Sequence, residues 1–280
     1  PDHQAKYLIL GSAAPGRVEQ LELSGFHLDE TGVETWRTLW NRGGFPRSYL
    51  AKSDIDSSAW RENFIRTFLE RDIPQLGITI PAAALRRFWT MLAHFHGQTW
   101  NASELGRSMG LSDKTVRSYL DLLTGTFMVR QLQPWYENVG KRQVKAPKIY
   151  FRDTGLLHHL LDIRTPDQLL SHGRLGASWE GFALEETLRA VQPDSAWFWS
   201  VHSGGELDLL LFKDGRRLGF EFKYTDAPEL TRSMTTAAQD LGLDSLSVVY
   251  PGTETYPLSK TVQALPLTSL VSSRSHPIPH

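Results

Sequence analysis

A chain of 280 residues, 40% hydrophobic and 22% charged, has an ordinary globular composition and room for roughly two or three domains. The absence of cysteine excludes a disulfide framework, a thiol nucleophile and cysteine-ligated zinc, and a formal net charge of −1 leaves no global basic field, so any nucleic-acid surface must be local. No apolar run reaches the ~18 residues of a membrane helix, the N-terminus lacks a signal-peptide pattern, and a cytoplasmic location is the expectation.

In chain order, Lys6–Leu10 and Val18–Leu23 read as short strands around a Gly/Ser/Ala/Pro link at 11–16. Residues 54–76 read as a helix, because Trp60, Phe64, Phe68 and Leu69 form one apolar stripe; Pro74 should end or kink it. Pro81 is placed to open the next helix, over 82–95. His94 and His96 lie two apart, which does not put two ligands on one helical face, so they read as packing or surface histidines.

The segment 100–132 carries helix-turn-helix punctuation. Asn101 and Glu104 form a capping-box pattern, Gly110 makes the turn and Ser112 caps a second helix. That helix buries Val116, Tyr119, Leu120 and Leu123 and presents Lys114, Thr115, Arg117 and Ser118 on its other face. Strands at 127–132 and 148–151 would form a two-stranded wing, and the loop between them holds Lys141, Arg142, Lys145 and Lys148 near Trp135 and Tyr136. A DNA-binding reading puts the 112–123 helix in the major groove and the basic loop on phosphates; a spacer or protein-docking module is the alternative.

Residues 152–157 lead into a short helix; after a polar connection through Pro166 and Gly173, Ser178 is placed to cap a helix over 179–191. Its stripe Glu180, Leu184, Leu188, Val191 is apolar except for Glu180, and a carboxylate there needs a partner. Either Glu180 favours the positive helix N-terminus or it serves a site. A strand at 196–201 follows, then a hairpin whose Asp214-Gly215 turn suits positive φ at both positions. Counting outward pairs Lys213 with Arg216, Phe212 with Arg217, Leu209 with Phe220, Asp208 with Glu221 and Glu206 with Lys223. Opposed carboxylates are destabilising unless a proton or cation lies between them. Asp208 and Glu221 therefore suit Mg²⁺, usually held by one or two carboxylates plus substrate phosphate, and Lys223 can orient a water or meet a phosphate. A helix near 229–241, a strand at 245–250 and a last strand near 262–267 complete an αβββαβ order.

Asp208 followed by Glu221-Phe222-Lys223 resembles the D…(D/E)xK signature of the restriction-endonuclease-like nuclease fold. That resemblance implies an α/β (α+β) domain with Asp208, Glu221 and Lys223 catalytic, Asp208 and Glu221 on the metal, and a glutamate of the first helix facing the site; Glu180 matches that place and Glu185 is the second choice. YLILGSA with GRVEQLELSGF resembles the late part of an AAA-type ATPase domain. WNRGGFPRSYL and LERDI fit the same family, prokaryotic AAA-type ATP-binding proteins with a C-terminal domain of unknown function. This resemblance covers nearly the whole chain from Tyr7. It implies an ATPase remnant over 1–53, a helical region with a winged helix over 54–152 and the nuclease-like domain over 153–280. The helix-turn-helix and the basic loop make DNA the expected partner, with contacts from Lys114, Arg117, Lys141, Arg142 and Lys145; an AAA-type ATPase domain or a second copy of the chain is expected as a further partner. The sequence contains no GxxxxGK[ST] phosphate loop, and Lys141 in VGKR has neither the preceding glycine spacing nor the following Ser/Thr, so ATP binding and hydrolysis do not carry over.

Overall fold

The computed structural model describes residues 7–11, 18–22, 24–138, 140–202 and 204–272. Strands β1 (Tyr7–Gly11) and β2 (Val18–Glu22) pair antiparallel, as expected; their connection at 12–17 lies outside the described residues. Helices α1 (Leu28–Thr31), α2 (Trp36–Arg42) and α3 (Pro46–Tyr49) follow. They are too short to announce themselves by periodicity.

The helix expected over 54–76 is α4 (Asp54–Thr67), a π-helical turn at Phe68–Asp72 and α5 (Ile73–Gln75). Pro74 explains the widened turn: it has no N–H for the carbonyl four residues back, and its ring crowds that carbonyl. Helix α6 (Ala82–Ala93) starts behind Pro81. A two-residue strand, β3 (Gln98–Thr99), leads into α7 (Ala102–Met109) and α8 (Asp113–Gly125).

These two helices realise the expected helix-turn-helix. The Asn101 side chain accepts the Glu104 N–H, Gly110 turns with φ 68°, and the Ser112 hydroxyl accepts the Thr115 N–H. Val116, Tyr119, Leu120 and Leu123 are buried. Strands β4 (Val129–Leu132) and β5 (Lys148–Phe151) pair antiparallel, with β3 on the far side of β5.

The connection between β4 and β5 is not the free basic wing expected. Its backbone lies along β6 (Ser195–Ser200), with Trp135 N–H donating to Phe198 O at 2.6 Å, Val144 N–H to Ser200 O at 3.0 Å and His202 N–H to the Arg142 carbonyl at 2.9 Å. The reason is the sheet edge: β6 is the last strand, and its unpaired backbone groups need partners. Lys148, read as part of that basic loop, is instead the buried first residue of β5.

Helix α9 (Thr154–Leu160) is followed by α10 (Pro166–Leu170), capped by Thr165, where only a polar connection was expected. Helix α11 (Leu175–Val191) begins a full turn before the expected cap at Ser178. The Ser178 hydroxyl is used in tertiary contacts instead, accepting from Trp40 Nε1 at 2.9 Å and lying 2.6 Å from His158 Nε2.

Strands β7 (Glu206–Lys213) and β8 (Arg216–Phe222) form the expected hairpin, with Asp214 at φ 49° and Gly215 at φ 76°. Its ladder holds the expected register from Lys213↔Arg216 to Leu209↔Phe220. Helix α12 (Arg232–Asp240) crosses over to β9 (Ser245–Tyr250), which pairs parallel to β8. Strands β10 (Tyr256–Pro257) and β11 (Val262–Pro266) complete a sheet of order β10-β11-β9-β8-β7-β6, and α13 (Leu267–Ser272) follows. The fold is thus mixed α/β, a helical region followed by a six-stranded mixed sheet in the expected αβββαβ order.

One apolar core runs from Leu28 to Val271 and joins Phe88, Leu120, Trp179, Leu209 and Phe220. A second cluster packs Met234 and Ala237 of α12 on Leu210, Leu246 and Val248. The sheet therefore lies between α11 and α12.

The close approach of α11 to His96 yields a test. A Cβ on Gly181 would lie 2.2 Å from His96 Nε2, and His96 is buried with its Nδ1 accepting the Phe151 N–H at 2.9 Å. Gly to Ala inside a helix ordinarily gains up to about 1 kcal/mol. Here Gly181→Ala should lose about 1–3 kcal/mol by overpacking, read by denaturant unfolding. A variant more stable than wild type would contradict this packing.

Candidate functional site

The residues expected to form a site converge where β7 and β8 separate. The ladder ends at Leu209↔Phe220, and Trp197 faces Leu210 while Trp199 faces Leu207, so β7 carries an extra residue at Asp208–Leu209. Such a β-bulge re-aims a side chain. The Asp208 carboxylate turns toward β8 and accepts the Phe222 N–H at 3.1 Å. The cross-strand pairs expected beyond this point, Asp208 with Glu221 and Glu206 with Lys223, are accordingly absent from the ladder. Lys223 Nζ lies 3.0 Å from Glu221 Oε2 on its own strand.

Glu206 pairs with a residue that the sequence reading had placed elsewhere. Lys148 Nζ stands 2.5 Å from Glu206 Oε1, 3.4 Å from Asp208 Oδ1 and 3.5 Å from Glu180 Oε1. Tyr150, two residues along β5 and so on the same face, donates its O–H to Glu180. The site therefore holds Glu180, Glu206, Asp208, Glu221 and Lys223 together with Lys148 and Tyr150. Helix α11 starts at Leu175, so Glu180 lies past the first turn and its place owes nothing to the helix N-terminus. A lysine opening the four-residue strand Lys-Ile-Tyr-Phe, buried throughout, was the one signal available, because a buried ammonium requires anions around it.

The electrostatics follow from burial. Burial, then the Asp208 charge, pushes the Glu180 carboxyl up to about 7. The same two causes hold Glu221 well above the usual carboxylate range. Burial alone would lower the Lys148 ammonium; Tyr150, Glu180, Asp208 and Glu206 outweigh it and raise it. Lys223 is likewise raised, Glu221 and Asp208 outweighing burial. Its side chain is 44% exposed, whereas those of Asp208 and Glu221 are 8% and 6% exposed.

A hard divalent cation fits this donor set in one mode. Four carboxyl groups face two ammonium groups, and the raised Glu180 and Glu221 carboxyls meet this excess of acidic groups by taking up protons. Among the described residues, no three His, Asp or Glu side chains are gathered so as to hold a metal between them. The pair Asp208 and Glu221 matches the magnesium mode of one or two carboxylates completed by water and substrate oxygens, not an all-protein cage.

The other α11 carboxylates serve different neighbours. Glu185 receives two bonds from Arg130, Nε at 2.5 Å and Nη2 at 2.9 Å, with Arg152 at 3.7 Å. Burial would raise its carboxyl, but Arg130 and then Arg152 and Arg189 hold it down at about 2. Glu186 lies 3.2 Å from His27 Nδ1 and accepts the Leu28 N–H. Both line a cavity of about 1660 Å³ with Phe45, Trp60 and Phe127, and Glu180, Asp208 and Glu221 do not. The second choice for the site glutamate, Glu185, is thus committed to arginines.

Of the residues expected to meet nucleic acid, Lys114, Arg117, Arg142 and Lys145 are exposed. Lys141 is tied to Asp240 at 2.5 Å. No helix among the described residues is long and apolar enough to cross a membrane.

Residues 33–167 match a domain of unknown function, DUF8612, and residues 175–270 match a second, DUF4143. The two matched segments follow one another along the chain. Uncharacterized proteins of Mycobacterium tuberculosis (Rv2008c) and Mycobacterium bovis (Mb2031c) are each 48% identical over 286 aligned positions, which cover 98% of this chain. The chain spans 65% of the length of these curated relatives. Protein VC1899 from Vibrio cholerae, a solved structure, aligns with 96% of this chain and 65% of its own at 13% identity and a TM-score of 0.26, too slight a likeness to define a shared fold. Glu180, Glu206, Asp208, Glu221 and Lys223 all fall in the DUF4143 segment, whereas Lys148 and Tyr150 come from DUF8612.

Arg130→Ala separates the two α11 glutamates. Removing Arg130 takes two charge-assisted bonds from Glu185 while Arg152 and Arg189 still face it, so the variant should lose about 1.5–3 kcal/mol near neutral pH. The folded-state carboxyl of Glu185 is depressed, so its contribution is full above about 4.5 and fades as pH falls toward about 2. The wild-type advantage in thermal unfolding should shrink across that window. A gap that stays constant with pH would contradict the assignment.

Proposed function

We propose that the cluster around Asp208 is a divalent-cation-dependent phosphodiesterase site acting on DNA. The observation that carries this reading is the buried Asp208–Glu221 pair, opening to solvent through Lys223. Asp208 and Glu221 would hold magnesium, which supplies positive charge against phosphoryl oxygens when bound. The Lys223 ammonium, held by Glu221 and half open to solvent, donates to an attacking water and fixes its orientation. Glu180, poised at about 7, holds or releases a proton near neutrality and is kept in place by the Tyr150 O–H.

DNA as the substrate is supported by the exposed cations Lys114 and Arg117 on α8 and Arg142 and Lys145 in the docked loop, which suit backbone phosphates. Lys141 joins them only if it leaves Asp240. An AAA-type ATPase domain or a second copy of the chain as partner rests on the family resemblance alone.

One observation favours a second reading. Lys148 already neutralises part of the acidic cluster, and the β4–β5 loop is spent on covering the sheet edge. In that reading the domain is a scaffold, and the helix-turn-helix is a non-catalytic DNA-binding or protein-docking module.

Lys223→Ala separates the two readings. With Mg²⁺ or Mn²⁺ present, wild type should cleave DNA and the variant should be slower by about 100-fold or more, with the fold retained. Equal cleavage by the variant would remove Lys223 from the mechanism, and no cleavage by wild type would leave the scaffold reading. Cation binding also has a definite pH dependence. The Glu180 and Glu221 carboxyls are raised, so they carry protons in the free site that a cation must displace. Calorimetric Mn²⁺ affinity should therefore increase from about pH 6 to about pH 8, with proton release into the buffer. Affinity independent of pH would contradict this account.

A further inference from the structure

Lys148 stands apart from the other cations of the chain in where it comes from and what surrounds it. It belongs to the helix-turn-helix segment, yet its ammonium lies between three carboxylates of the following domain, with the Phe198 ring 5.6 Å away. The side chain is only 7% exposed. Strand β5 is paired on both sides, by β3 and β4, so its backbone is fixed. Glu206, the carboxylate nearest to the ammonium, is 48% exposed and marks a path outward to the rim.

An ammonium 3.4 Å from Asp208 and 3.5 Å from Glu180 stands in the space that a cation bound to Asp208 would claim. We propose that Lys148 is a tethered counter-cation: it stands against the carboxylates while no metal is bound, and it must leave Asp208 and Glu180 and move outward past Glu206 for a divalent cation to reach Asp208. This inference rests on the reading of the cluster as a divalent-cation site. It makes loading of that site a competition between the protein's own lysine and the metal, and it places one domain's strand in control of the other's chemistry.

The test is Mn²⁺ titration calorimetry of the full chain, wild type against Lys148→Met, which keeps the length of the side chain and removes its charge. Competition predicts tighter binding by the variant, on the order of tenfold or more, since a nearby positive charge has been removed. Equal or weaker binding by a folded Lys148→Met would overturn the tethered-cation role while leaving the metal site intact. Binding by neither chain would overturn the metal-site reading itself.

A second measurement uses wild type alone and does not depend on the variant folding. Acetic anhydride labelling read by mass spectrometry should acetylate Lys148 severalfold faster once Mn²⁺ has driven the amine to the rim. Unchanged labelling, under conditions where calorimetry shows Mn²⁺ bound, would overturn the proposal.

Discussion

The ion cluster around Lys148 is the constraint on which the arrangement of the two domains depends. Desolvating one charge costs several kcal/mol, and here Glu180, Asp208 and Glu221 are all taken largely out of water. None of them is tolerable there alone. Lys148 reaches in from one domain and Lys223 lies on the strand itself, so the acidic site can form only when β5 sits against the end of the β7–β8 hairpin. The apolar core that runs through both segments also holds them together, but apolar contact alone does not require this register. Charge pairing of this kind stabilises little and specifies much.

Helix α11 distributes that constraint. Three of its side chains are glutamates with three different neighbours: Glu180 turns to Lys148 and Tyr150, Glu185 to Arg130, and Glu186 to His27 and the Leu28 amide. Each contact ties α11 to a different part of the chain, namely β5, β4 and the start of α1. The opposite directions of the shifts at Glu180 and Glu185 follow from their partners. An arginine fork stabilises the ionised form of Glu185, whereas a neighbouring carboxylate opposes ionisation of Glu180. The two glutamates lie on one helix and differ only in what faces them.

Much of this was legible in the sequence because local chemistry dictated it. Asp214-Gly215 could form only a tight turn with positive φ at both positions, which set the register of the hairpin. Asn101, Gly110 and Ser112 punctuated the helix-turn-helix as their capping chemistry requires. The motif carried by Asp208, Glu221 and Lys223 was readable because those residues lie within one hairpin. What escaped was non-local. The bulge at Asp208 breaks the period-two alternation from which face assignments are counted. Lys148 and Tyr150 reach the site from a strand 58 residues or more before Asp208, and nothing in a linear pattern says that a wing loop will fold back along a sheet edge. Ser178 looked like a helix cap but was needed by Trp40 and His158, a tertiary demand that outranked a local preference.

The central claim is that Asp208 anchors a cation rather than serving only as the acceptor for the Phe222 N–H. It is tested most directly by titrating Mn²⁺ into the full chain and into Asp208→Asn, which keeps the size of the side chain and an oxygen for the Phe222 amide while removing the charge. The account predicts saturable binding by wild type that disappears in the variant while its fold is retained. Binding of equal affinity in both would place any cation elsewhere and contradict it.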